Sequence, residues 1–312
     1  MWICFNLFGN YTAQRFREAQ TDSKSFIGTI RMRKSYLCFT LACVFFIVLG
    51  DPASCQPYFD AAGFSGWYLP AGKADERPAE THMMLFVSIP FDLNKNDKIV
   101  ISPWHENRYL KDEYPNESLF LKGTGLPITY LHNSPDSLWS YTATFIGRMN
   151  SSDFRFDSDV FQAGGAVIGS LRIKPGLYVK LGLYGNNEFF GFTFIPLAGI
   201  DWKINDRLNL FGIVPNVVKL EYKFNKKFYG GIQYRSLKNS YKNHGEAGYY
   251  KLEDNHLGIY ADFYLQKNVV FMLDAGHTFL RLMKNRAGTD FQGFDNDGFI
   301  FKAGLFYRIR LD

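Results

Sequence analysis

From Leu257 to Gln266 the chain alternates without a break: Leu257, Ile259, Ala261, Phe263 and Leu265 fall on one side, Gly258, Tyr260, Asp262, Tyr264 and Gln266 on the other. A period of two marks an extended strand with one oily face, a pattern that a helix does not produce. The last segment repeats it, with Phe299, Phe301, Ala303, Leu305, Tyr307, Ile309 and Leu311 set against Ile300, Lys302, Gly304, Phe306, Arg308 and Arg310. Leu85 to Leu93 and Phe192 to Ile204 behave alike. After Gln56 there is no apolar run of about 18 residues, so any membrane crossing must be made by strands. An 18% aromatic content and 28 glycines suit pleated, half-buried surfaces joined by tight turns.

Alternation alone fits a soluble sandwich equally well, so the connections have to decide. Short polar turns are expected at Asn94 to Asp97, His132 to Ser137, Lys174 to Gly176, Asn205 to Arg207, Asn225 to Lys227 and Gln266 to Asn268. Between them fall connections expected to be mostly longer or more polar: Pro70 to Thr81, Asn107 to Glu117, Asn150 to Asp159, Asn186 to Phe190, Leu237 to Tyr250 and Met283 to Asp297. That short and long rhythm is the one shown by barrels threaded through an outer membrane. With a tight connection at Pro215-Asn216 and a strand from Ser118 to Leu131, the count is about fourteen, and twelve without those choices. Runs of about ten residues are long enough to cross hydrocarbon at a tilt. Trp67, Tyr68, Trp104, Trp139, Tyr141, Trp202, Phe228, Tyr229 and Tyr307 near strand ends are expected at the membrane interfaces. The expected fold is therefore all-β: a closed antiparallel transmembrane β-barrel of about 12–14 strands over residues 56–312.

The N-terminus has the layout of an export signal. Met32-Arg-Lys precedes an apolar run, Tyr36 to Leu49, too short to span and followed by Gly50-Asp51-Pro52. Ala53 and Cys55 place small residues where a signal peptidase inspects them, so cleavage is expected before Gln56, with residues 32–55 as the signal. Residues 1–31 then form an upstream extension, and either Met1 or Met32 is the start. A lipidated Cys55 is disfavoured by Pro52, which stands where such sites usually carry Leu. All four cysteines lie within the first 55 residues, so the remainder has no disulfide framework. Removing that segment leaves 35 − 6 = 29 basic against 30 − 3 = 27 acidic residues. A net charge this small gives no electrostatic case for nucleic acid as a partner.

Turning the oily faces outward leaves Arg148, Arg172, Lys180, Asp201, Lys203, Lys219, Glu221, Lys223, Arg235, Asp262, Asp274, Lys302, Arg308 and Arg310 to line the lumen. Facing lipid, an Arg or Lys would cost roughly 2 to 4 kcal/mol near the midplane. The mixed signs admit two readings, ion-pair networks that close the bore or a weakly anion-favouring pore. No phosphate loop, HExxH or CxxC occurs, and the six histidines are scattered, so neither catalytic, cofactor nor metal residues are assigned. His277, Thr278 and Asp274 suggest a lipid hydrolase, but neighbours one apart in a strand face opposite sides. His105-Glu106 is read as a solvated strand end, and Asp290 to Asp297 as a polar external loop without EF-hand spacing.

Gly125 to Tyr130, Ile200 to Pro215 and Leu220 to Gly231 share one form, strand, polar turn, then a strand opening on aromatics. In these segments, and over most of the region from about Phe120 onward, the chain resembles uncharacterised outer-membrane β-barrel families common in Bacteroidota-type Gram-negative bacteria. The resemblance implies barrel architecture and no particular activity. The expected role is an integral outer-membrane barrel: a passive pore, a transport or binding component, or a structural envelope protein. Its expected partners are outer-membrane lipid and lipopolysaccharide, the barrel-assembly machinery and an unknown small solute. The alternatives are a barrel enzyme that modifies envelope lipids and a soluble periplasmic β-sandwich or lipocalin-like binder.

Overall fold

A computed structural model describes residues 57–72, 79–111, 118–153, 157–244, 248–287, 290–295 and 297–311. The segments assigned to the upstream extension and the signal, with the cleavage site, lie outside the described residues. The backbone forms β1 (Tyr58–Leu69), β2 (Ala79–Val87), β3 (Ile89–Asp92), β4 (Asp97–Ile101), β5 (Trp104–Lys111), β6 (Leu119–Asn133), β7 (Trp139–Ser151), β8 (Phe161–Lys174) and β9 (Leu177–Glu188). It continues with β10 (Gly191–Lys203), β11 (Leu208–Val214), β12 (Val217–Lys223), β13 (Phe228–Asn243), β14 (Gly248–Tyr264), β15 (Val269–Ala287), β16 (Asp290–Asp295) and β17 (Phe299–Arg310). All belong to one sheet, and β1 pairs with both β2 and β17, which closes it.

Three of the breaks lie within a single course of chain. The pairing Phe86↔Trp104 runs on in register to Ile89↔Ile101, with Ser88 and Ser102 hydrogen bonded at 3.1 Å in the gap. Segments β16 and β17 both pair with β15, one residue out of phase, around an irregularity at Leu280, whose φ is 51°. Merging β2 with β3, β4 with β5 and β16 with β17 gives 17 − 3 = 14 barrel strands. An even number returns both ends of the barrel to the same side.

Six short connections share that side with the ends, and their sequences explain their tightness. Asn94 Oδ1 accepts from the amides of Asn96 (2.8 Å) and Asp97 (3.0 Å), and Asn205 Oδ1 from those of Arg207 (2.8 Å) and Leu208 (2.9 Å). Asn225 Oδ1 likewise accepts from Lys227 at 2.8 Å, so each asparagine folds its own turn. Gly176, at φ 82°, supplies the left-handed residue of the two-residue link from β8 to β9.

The opposite end departs from expectation. Leu237–Asn243 and Gly248–Tyr250 belong to a paired extension running to Asn243↔Gly248, the described part of Met283 to Asp297 is mostly β15 and β16 paired to Ala287↔Asp290, and only two residues separate β9 from β10. The loop assigned to Asp290 to Asp297 is thus largely strand. Beyond the apolar band both faces of a strand carry polar residues, as Lys238, Ser240 and Lys242 alternate with Asn239 and Asn243, so the period fades while the pairing continues.

Outward positions are oily: Leu257 and Ile259 on β14 with Leu265 just past its end, Phe299, Phe301 and Leu305 on β17, and Phe192 and Phe194 on β10 are all exposed. An apolar surface of this extent suits lipid, and the soluble two-sheet alternative fails because these rows face away from the other side of the ring. Rings gather at two levels. Near the short turns, Trp139 stacks with Tyr141 (5.9 Å), and Phe228 with Phe224 (4.6 Å) and Phe263 (5.0 Å). Towards the other end lie Tyr109 with Phe120 (4.6 Å) and Tyr234 with Phe279 (6.1 Å). Trp202 and Phe192 bound the apolar face of β10, ten residues or roughly 33 Å apart along the strand. At a tilt of about 40° that covers roughly 25 Å of membrane. Trp67, Trp104 and Tyr229, expected at an interface, are instead buried inside the ring. Position near a strand end does not fix the face; Trp67 shares its phase with the inward Ser65 and Leu69.

Candidate functional site

The interior of the ring is the candidate site, and its chemistry follows from which residues share the inward phase. Nearest the short turns, Arg308 of β17 is held by Asp262 of β14 and by Asp60 of β1 (Nε to Oδ1 2.6 Å), with its guanidinium 3.7 Å from the Tyr58 ring centre. Lys219 of β12 donates to the Tyr58 hydroxyl at 2.8 Å, and Arg310 pairs with Glu221 at 2.9 Å. Deeper in, Trp67 stacks on His82 at 4.3 Å, with Lys302 Nζ 4.3 Å and Arg235 Cζ 5.2 Å from its ring centre. His256 and Asp274 meet at 3.2 Å on the neighbouring strands.

Further along, Glu80 of β2 takes Arg108 of β5 at 2.8 Å and Arg281 of β15. Glu106 accepts from the Tyr241 hydroxyl at 2.6 Å and lies 2.9 Å from His82 Nε2. Charges withdrawn from water this far require partners, and each of these has one. The wall opposite is oily, with Val100, Leu131, Ile146, Ile168, Leu197 and Ile213 in one cluster.

At the end away from the short turns, β13 crosses the bore. The cause is length: β12 meets β13 only from Val217↔Arg235 downward, and after one more bond, from the Ser236 amide to the Asn216 carbonyl at 2.8 Å, that edge of β13 is released from its neighbour. Ser240, outward by phase, is 0% exposed because the inner faces of β8 and β9 cover it. Its hydroxyl donates to Glu188 Oε2 (2.6 Å) and accepts from Gln162 Nε2 (2.9 Å) and the Phe189 amide (3.1 Å). Asn150 of β7 donates to Asn239 Oδ1 at 2.8 Å and to the Ser240 carbonyl at 3.1 Å. The Ser152 amide donates to the Lys242 carbonyl at 2.9 Å, and Ser151 and Lys242 form a parallel bridge. Gly123 lies under this clasp, where a Cβ would sit 2.7 Å from Asn150 Oδ1 and 3.0 Å from Glu106 Cγ. Only glycine leaves that room.

The seal is continuous along β14, where every inward residue from Leu252 to Tyr264 is buried. Each keeps less than a tenth of its surface open to water, so among the described residues no wide water-filled passage runs beside them.

Of the residues read as lumen-lining, Lys219, Glu221, Arg235, Asp262, Asp274, Lys302 and Arg308 are buried in the layers above, and Arg310 is nearly so. Arg148 pairs with Glu188, and Lys180 with Asp201, on the side of the oily wall. Arg172, Lys203 and Lys223 sit at the short-turn mouth: Arg172 donates to the Asp136 carbonyl (3.3 Å), Lys203 pairs with Asp206 (3.2 Å) and Lys223 lies over Tyr229 (5.7 Å). Sequence reading missed Glu80, Glu106, Arg108, Arg281, Glu188 and Ser240, most of which fall in stretches taken for connections. Extending the period of two through Glu80-Thr81-His82-Met83 would have found the first of them.

His277 lies outside, edge-on to Phe299 at 5.2 Å, whereas Asp274 and Thr278 are buried inside. The wall thus separates the three groups that suggested a hydrolase. His105 approaches Asn107 (3.1 Å) on the outer side and Glu106 points inward. Among the described residues there is no cluster of three His, Cys, Asp or Glu arranged for a metal.

Nothing among curated proteins matches the chain. Solved structures similar to it include the KdgM porin in complex with disordered oligogalacturonate, at 10% identity and a TM-score of 0.36 over 78% of this chain and 98% of that one. Another is a TodX monoaromatic hydrocarbon channel mutant, at 8% and 0.42 over 79% and 89%. A third is outer membrane phospholipase A from Escherichia coli, at 9% and 0.36 over 81% and 93%. A porin, a hydrocarbon channel and a phospholipase have no activity in common to carry over. Residues 103–312, 210 of the 312, match the model of the family described as Domain of unknown function (DUF6268), and the chain belongs to that family.

Proposed function

We propose that the chain is an integral outer-membrane channel that is shut at rest, its far mouth closed by the β13 clasp. The observation that carries this reading is Ser240, an outward-phase residue made fully buried by hydrogen bonds to the opposing wall. Eight strands already enclose a space that side chains fill, so a ring of fourteen is wider than packing needs. Here the excess is taken up by a strand folded inward. That strand is held by neutral hydrogen bonds, by hydrogen bonds to the carboxylates of Glu188 and Glu106, and by the Lys242–Asp159 pair at 3.4 Å, contacts that water can replace at a net cost of about 0.5–3 kcal/mol each. The ring itself is held by backbone ladders that opening leaves intact.

The test is conductance in planar bilayers. Wild-type protein is expected to stay closed at low voltage, and Asn150→Ala with Ser240→Ala to raise the open probability at least tenfold. Ser151→Cys with Lys242→Cys places thiols on bridge partners within disulfide reach. Oxidation of that pair is expected to abolish openings and reduction to restore them. A steady open current in the wild type would overturn the sealed bore. Closure of the folded Asn150→Ala, Ser240→Ala protein as firm as that of the wild type would overturn the clasp.

A further inference from the structure

Among the described residues, the short-turn end carries most of the fully exposed cations. Among the described residues the exposed Lys and Arg are Lys95, Lys111, Lys174, Lys203, Arg207, Lys226, Lys227 and Lys267, and all except Lys111 lie at that end. They stand at or beside five of its six turns. The asparagine-capped turns hold their backbones: the Asn225 side chain binds the Lys227 amide, and Asn205 does the same for Arg207. Exposed carboxylates there are already engaged. Asp92 pairs with Lys98, and Asp206 with Lys203 at 3.2 Å. Asp136 is held below the usual carboxylate range by the Ser134 hydroxyl and the Leu138 amide. At the other end the fully exposed charges among the described residues are Lys111 against Asp157, Asp159 and Asp297, and the half-exposed Lys238, Lys242 and Lys251 pair with Glu253 or Asp159.

We infer that this collar is a docking surface for anionic phospholipid headgroups of the leaflet that meets the short turns, with the Lys226, Lys227 and Lys267 face as its centre. The inference rests on the membrane placement of the barrel. Charge complementarity indicates an anion, and the neighbouring surface identifies the source. Directly along the wall from these lysines runs a ledge of rings, Tyr222 against Phe224 at 4.9 Å and Phe224 through Phe228 to Phe263. Aromatic rings at the hydrocarbon boundary with ammonium groups just beyond them match the two zones of a phospholipid, acyl and glycerol beside phosphate. A soluble acidic partner would complement the lysines and leave the ledge unmatched.

The test refolds the full chain into phosphatidylcholine vesicles doped with spin-labelled phosphatidylglycerol or spin-labelled phosphatidylcholine, and compares the motionally restricted fraction of each. Wild-type protein is expected to hold the anionic label about threefold over the neutral one, and less as salt rises. Lys226→Gln, Lys227→Gln and Lys267→Gln together are expected to bring the ratio close to one, while Lys111→Gln leaves it unchanged. Inorganic phosphate should compete no better than chloride at equal ionic strength. Unchanged selectivity in the triple variant, or equal loss in Lys111→Gln, would overturn the collar. Absence of any restricted lipid with either label would instead mean that the chain does not span the bilayer, a failure of the membrane reading itself.

Discussion

Arg308 shows what a single residue has to satisfy in this interior. It is 1% exposed and shared between Asp262 and Asp60, two carboxylates that would otherwise face each other in a space closed to water. Removing the cation while leaving both acids strands buried charge, which typically costs about 3–5 kcal/mol. Arg308→Met is therefore expected to lower the unfolding free energy of vesicle-embedded protein, read from denaturant titration, by that amount, with part of the loss recovered when Asp262→Asn is added. No recovery would mean that the arginine acts through packing alone. At this scale much was legible: the inward phase of Arg308, Lys302, Asp262 and Lys219 follows from alternation with oily neighbours. The partners were not. Arg308 meets an aspartate 248 positions away, a pairing set by ring closure and not by any local pattern.

At the scale of strands, the length of the apolar stripe distinguishes what lies in lipid from what stands beyond it. Along β14 the outward residues are Leu257, Ile259, Ala261 and Phe263, with Leu265 in phase just past its end, preceded by Asn255, Glu253 and Lys251. On β13 the outward phase passes from Ile232 and Tyr234 to Ser236 and Lys238. Ile259→Arg should destabilise the folded protein in bilayers by roughly 2–4 kcal/mol and Ser236→Arg by about 0–1 kcal/mol. Equal costs would place the boundary wrongly. Turn positions could be read directly because Asn94, Asn205 and Asn225 build their turns from their own side chains. The far ends of β13 to β16 could not, since outside hydrocarbon nothing requires one face to be apolar, and paired strand then resembles loop.

The whole molecule is a ring of fourteen strands that one of its own members partly fills. Strand number and closure were within reach of sequence because turn rhythm and even parity constrain them together. The clasp was not, because it arises from a difference in length between β12 and β13 that appears only once the two are in register. Every conclusion about the bore depends on which face of the wall is which, and tryptophan fluorescence reports that directly. In protein variants each retaining one of the four barrel tryptophans, refolded into bilayers with bromine on the upper acyl chain, Trp139 and Trp202 should be strongly quenched and Trp67 and Trp104 spared. Quenching of Trp67 and Trp104 as strong as that of Trp139 would contradict the account, because rings walled inside a closed barrel cannot meet the lipid.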